Sequence, residues 1–135
     1  MKDKEKITRA SALRRVRANV NELRESKMTI EDIFNITFKQ EDYSFIFQMT
    51  VGDYKQISYG MAKKYICSFA NFFNESISHD QKYVGLLLEN SPEWIYSFYG
   101  LLMAGYSPVL LSTKTKIENS KNILEKLGIS TVISD

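Results

Sequence analysis

The stretch Tyr83-Val84-Gly85-Leu86-Leu87-Leu88-Glu89-Asn90-Ser91-Pro92-Glu93-Trp94 decides how this chain folds. Val84–Leu88 is a nearly unbroken apolar run bounded by polar residues, with no alternation of wet and dry positions. Such a run suits an interior strand of a parallel sheet, which is covered on both faces. Asn90-Ser91-Pro92-Glu93 then carries a helix start. It has a polar cap, a proline whose missing N–H is harmless in the first turn, and an acid at the positive end of the helix dipole. The helix predicted from there runs to Ala104 and stops at Gly105. Trp94, Ile95, Phe98, Leu101 and Leu102 make it apolar nearly all round, so a sandwiched helix is expected.

Downstream, Pro108–Leu111 reads as the next strand, Ile117–Leu127 as an amphipathic helix with Gly128 placed to stop it, and Ser130–Ser134 as a third strand. This tandem predicts an α/β fold built on a parallel β-α-β-α-β unit with right-handed crossovers. Open sheets of this kind bind ligands beyond the carboxyl ends of their strands. The sequence reaches Asp135 directly after a strand, where a site-building loop is expected to begin.

Upstream, Tyr59–Asn74 reads as a helix with Tyr65, Ile66, Phe69, Phe72 and Phe73 on its apolar side. Phe45–Thr50 and Tyr54–Ser58 are short strand-like runs around Val51-Gly52-Asp53, a predicted hairpin. Thr29 is an N-cap candidate, with Glu31 and Asp32 in the first turn of a helix over Ile30–Phe38 that would bury Ile33, Phe34, Thr37 and Phe38. Before it, residues 7–25 carry Leu13, Val16, Val20 and Leu23 on one helical stripe, with Arg9, Arg14, Arg15, Arg17 and Arg24 on the remaining surface. Three fates are open to that stripe: docking on the rest of the chain, pairing with another chain, or lying on a membrane surface. The chain thus divides into a basic amphipathic N-terminal helix, residues 1–27, and an α/β region, residues 28–135.

Charge follows the same division. Residues 1–27 hold nine Lys/Arg against four Asp/Glu, a sum of +5, while the rest sum to −3. The formal net charge of +2 therefore gives no general nucleic-acid surface, and the basic excess is local. Cys67 is the only cysteine, which excludes an intrachain disulfide and fits a reducing, cytoplasmic home. Lys2, Asp3, Lys4, Glu5 and Lys6 lead into no apolar core, so no secretory signal is expected. Trp94–Thr113 is uncharged and about long enough to span a bilayer, but Gly105, Ser107 and Pro108 interrupt it. A helix followed by a strand accounts for it, so no membrane span is expected.

The motifs that carry chemistry are absent. Gly100-Leu-Leu-Met-Ala-Gly105-Tyr106-Ser107 has the glycine spacing of a phosphate loop, yet Tyr106 stands where the lysine belongs and the glycines fall on a helix. Ser91 reads as a cap, and neither Ser91 nor Ser112 lies in a G-x-S-x-G elbow. His79, the sole histidine, cannot assemble a metal site or a Ser–His relay by itself. The Phe/Tyr-rich helix reads as core packing rather than a base-stacking platform. No catalytic, cofactor-binding or metal-binding residue is assigned.

One resemblance adds to this reading. Ile57-Ser58-Tyr59 before a helix, Val84 to Trp94, Gly100-Leu-Leu-Met-Ala-Gly105, Pro108-Val-Leu-Leu and Ile123 to Asp135 together resemble the N-terminal region of adenylate-forming (AMP-binding) enzymes. Acyl-CoA synthetases, luciferases and peptide-synthetase adenylation domains belong to that superfamily. Met28–Phe38 is similar to its early helix. The resemblance covers roughly residues 28–135 and implies a partial N-terminal subdomain of an ATP-dependent, AMP-forming carboxylate ligase. ATP and magnesium, and in some members coenzyme A, are implied for a complete parent. The Ser/Thr/Gly-rich ATP loop and the catalytic lysine of the family have no counterpart in these 135 residues, so the chain alone is expected to be inert. The expected partner is the remainder of the synthetase or a partner chain. The alternative is a non-catalytic interaction module that self-associates or docks through residues 7–25.

Overall fold

The computed structural model describes residues 9–135, in two compact units that divide between Lys39 and Gln40. Ile7 and Thr8, predicted to open the first helix, lie outside the described residues.

In the first unit, α1 (Arg9–Glu25) is followed by α2 (Ile30–Thr37). The Ser26 hydroxyl donates to the Leu23 carbonyl (2.8 Å) and accepts the Met28 N–H (3.0 Å), closing α1. Thr29 begins α2 with a reciprocal capping box. Its Oγ1 accepts the Asp32 N–H, and Asp32 Oδ2 accepts the Thr29 N–H, both at 3.1 Å. These hydrogen bonds, the backbone one first, hold the Asp32 carboxyl below its ordinary pKa. Phe34 and Phe38 are buried, with ring centroids 4.7 Å apart. Ile33 and Thr37, expected in the core, are half-buried, and Ile36 is buried in their place. Lys39 pairs with Glu22.

The second unit opens with the predicted hairpin, β1 (Ser44–Thr50) and β2 (Asp53–Ser58), paired antiparallel around Val51-Gly52. Gly52 sits at φ +83°, where a side chain would be strained. Ser58 ends β2 and caps α3 (Tyr59–Ser76) by accepting the Met61 N–H at 3.1 Å. Next come β3 (Tyr83–Leu87), α4 (Pro92–Met103), β4 (Ser107–Leu110), α5 (Ile117–Leu127) and β5 (Val132–Ser134). The sheet order is β4-β3-β5, with both pairings parallel. The apolar run is therefore the central strand, and Val84, Gly85 and Leu86 are buried. Pro108 lies on an edge strand, where its missing N–H breaks no ladder. Gly128 terminates α5 at φ +63°.

The main packing in this unit is α3 against α4. Ala62, Ile66, Ala70 and Phe73 form the buried line of α3. Gly100 lies where an added Cβ would stand 2.9 Å from Phe69 Cβ and 3.2 Å from the Ala70 nitrogen, so small residues set the interhelical distance. That geometry corrects two expectations: Tyr65 and Phe72, each one position before a buried residue, are exposed at 41% and 61%. The sandwiched α4 also holds only on one side. Tyr96, Ser97, Gly100 and Leu101 are buried, whereas Trp94, Ile95, Phe98 and Leu102 are half-buried. Phe73, Ile77, Val84, Leu101 and Tyr106 form a core cluster that joins α3, β3 and α4.

Candidate functional site

Parallel pairing brings the carboxyl ends of β3 and β4 side by side. Leu111 N–H continues the ladder to the Leu86 carbonyl at 2.9 Å, carrying the two strands out together before their loops diverge. Buried Leu88 and Leu111 floor a groove of about 370 Å³ there, walled by Glu89, Asn90, Trp94 and Lys114. Trp94, on the half-buried side of α4, lines this groove and stacks on Phe98 at 5.3 Å and 4°.

A second groove, about 590 Å³, runs between β1 and the start of α4. Its walls include Phe47, Met49, Pro92 and Ile95, and it shares Asn90 and Trp94 with the first. The two depressions therefore meet at one Asn–Trp wall. One side offers polar groups of both signs, and the other is mostly apolar. Chemically, this arrangement can hold an extended molecule with a polar head and an apolar body.

Its polar side offers few groups of the kind that hold a triphosphate. The Ser91 hydroxyl accepts the Trp94 N–H at 3.1 Å, so α4 begins with a satisfied cap. In the loop after β4, Ser112 Oγ accepts the Lys114 N–H at 3.2 Å and the Ser112 carbonyl accepts the Thr115 N–H at 3.2 Å. The N–H groups of Trp94, Lys114 and Thr115 are thus engaged locally, and Lys114 is the one cation among the residues that line the groove. A phosphate cradle needs several convergent free N–H groups. Among the described residues no group of three or more His, Cys, Asp or Glu side chains could hold a metal ion.

The other residues weighed from sequence are scattered. His79 and Cys67 are exposed and lie outside both grooves. Gly100 serves helix contact, and Tyr106 is buried, its hydroxyl bonded to the Ile77 carbonyl. Sequence reasoning missed the hairpin wall. Residues 46–49 and 90–95 are distant in the chain, and no local pattern marks their approach.

With this geometry, the AMP-binding enzyme family matches residues 37–135. The chain belongs to that family. No curated protein sequence matches it. Solved structures share the fold. The N-terminal subdomain of Klebsiella oxytoca NpsA aligns over 78% of this chain and 26% of its own, at 20% identity and a TM-score of 0.64. The nonribosomal peptide synthetase FmoA3, in an AMPPNP-bound form, aligns over 90% of this chain and 13% of its own, at 19% identity and a TM-score of 0.68. The fatty acid AMP ligase of Legionella pneumophila aligns over 82% and 20%, at 13% identity and a TM-score of 0.69. The chain thus spans about a quarter or less of the solved chains it matches. Among the described residues, no helix is long and apolar enough to cross a membrane.

Proposed function

We propose that this chain is the opening portion of an ATP-dependent carboxylate-activating synthetase and is catalytically inert by itself. The family match over residues 37–135 carries the reading. NpsA has been solved in complex with 3-hydroxyanthranilyl-AMSN, and FmoA3 with AMPPNP, ligands in keeping with a parent that makes acyl-adenylates. In that reaction a carboxylate oxygen bonds to the α-phosphorus of ATP, the bond to the β-phosphate oxygen breaks, and pyrophosphate leaves. Inertness is supported by the sequence, in which the family's Ser/Thr/Gly-rich ATP loop and catalytic lysine have no counterpart. Residues 28–135 would contribute a wall of the parent's domain, and residues 1–27 a separate basic segment that includes α1.

Purified 135-residue chain is expected to give no ATP–pyrophosphate exchange with a panel of carboxylic acids. Exchange above a no-enzyme control would overturn inertness. In the acyl-CoA branch of this reading the acyl group passes to the coenzyme A thiol and AMP leaves; acyl-CoA formation by the full-length parent decides that branch. We place the parent in the cytoplasm, a reading supported by a single exposed cysteine.

A second reading, a non-catalytic module that docks or self-associates through α1, is favoured by one observation. Leu13, Val16 and Val20 remain 51%, 58% and 41% exposed. Light scattering before and after removal of residues 1–27 tests it: a changed oligomeric state supports the module, and an unchanged one removes self-association.

A further inference from the structure

The exposed stripe of α1 has charge of one sign on its own side. At about 100° per residue, Arg17 and Arg24 fall within about 40° of Leu13 around the helix axis, beside Val16 and Val20. Both arginines are exposed. Glu22 falls on the opposite side, where it is held by Lys39, and Glu25 lies well away from the stripe. The free face of α1 therefore presents three aliphatic side chains with guanidinium groups along their border. The helix has 17 residues, and the face from Leu13 to Arg24 runs about 16 Å along it.

We infer that this face seats on an anionic lipid surface, lying in the interface rather than crossing it. The inference rests on reading α1 as a docking surface and names its occupant. A second copy would bring the same +5 segment against the first, so charge opposes that pairing. Nucleic acid would use the cations but leave Leu13, Val16 and Val20 in water. A negatively charged lipid surface meets both demands: aliphatic groups enter the acyl boundary, and arginines reach the headgroups on their long stems. Three aliphatic residues are few for such a helix, so attraction to the charged headgroups must supply much of the affinity. Binding should then weaken with salt.

The test is co-sedimentation of the 135-residue chain with vesicles of phosphatidylcholine alone and of phosphatidylcholine with phosphatidylserine. The chain is expected on the anionic vesicles and not on the neutral ones. The triple variant Leu13→Ser, Val16→Ser, Val20→Ser should lose about tenfold or more in partitioning, in line with the apolar burial removed. Arg17→Glu with Arg24→Glu should lose at least as much. These positions are exposed, and unchanged circular dichroism will show that the helix survives. Equal binding to both vesicles overturns the inference, as does full binding by the triple variant, which would leave a charge-only surface shared with nucleic acid. Absence from both vesicles also overturns it. In that case, light scattering that differs between wild type and triple variant keeps the docking reading with a second copy as occupant, and identical scattering removes that reading too.

Discussion

The Tyr106 hydroxyl donates a 3.0 Å hydrogen bond to the Ile77 carbonyl, tying the segment entering β4 to the end of α3 in the core. Both residues are buried, so no water stands ready to replace the donor. Tyr106→Phe should destabilise the chain by about 1–2 kcal/mol by leaving that carbonyl short of a partner. Urea denaturation checks it: the midpoint should fall with an unchanged slope.

Gly100→Ala sets two effects against each other. Alanine is the better helix former by about 1 kcal/mol. Its methyl, however, would stand 2.9 Å from Phe69 Cβ and 3.2 Å from the Ala70 backbone nitrogen, atoms that cannot swing aside. Overpacking of this kind costs about 1–3 kcal/mol. Net destabilisation is expected, and a thermal melt showing a rise in Tm would refute the close α3–α4 contact.

Tyr96 is 4% exposed, and its hydroxyl has no hydrogen-bond partner among the described residues. Burial, then the negative charge of Glu93, then Tyr65, push its pKa above the ordinary tyrosine value. The neutral form is therefore favoured in the fold. Its contribution to stability is complete below the unfolded pKa of about 10 and declines as pH rises from there toward the folded value. Tyr96→Phe should raise stability at neutral pH by up to about 1 kcal/mol and flatten the alkaline loss. Chemical denaturation from neutral pH to the alkaline limb, run on both proteins, separates the two effects.

Thr29→Ala should cost about 1 kcal/mol by removing the N-cap of α2. The partner carboxyl has the opposite linkage to Tyr96. Because the fold depresses the Asp32 pKa, its contribution is present above the unfolded value and is lost as pH falls through the folded one. Acid titration followed by helical circular dichroism should show a difference between Thr29→Ala and wild type that narrows as Asp32 protonates.

Most of the second unit could be read from local signals. Val84–Leu88 betrayed its central place because a strand covered on both faces cannot alternate, and Ser91-Pro92-Glu93 announced α4 through the chemistry of its first turn. Gly52, Gly105 and Gly128 sit at φ values of +83°, +88° and +63°, where the sequence placed a turn and two helix ends. Tyr65 and Phe72 were misplaced because periodicity counts apolar residues without their size. The contact line on α3 runs through Ala62 and Ala70, which admit the neighbouring helix where larger side chains would hold it away. The groove shared by Asn90 and Trp94 was invisible for another reason. Its walls come from a hairpin and a helix start that meet only in the folded chain.

The order in which the central strand gains its neighbours bears on synthesis. β4 can join β3 once α4 has emerged from the ribosome, but the other flank of β3 stays open until α5 and then Val132–Ser134 follow. Until then Val84 and Leu86 sit in a strand with one bare edge, the kind of intermediate that invites pairing with a neighbouring nascent chain. Translation speed through residues 111–131 thus becomes a determinant of yield, and a pause there would lengthen the interval in which the half-built sheet is vulnerable.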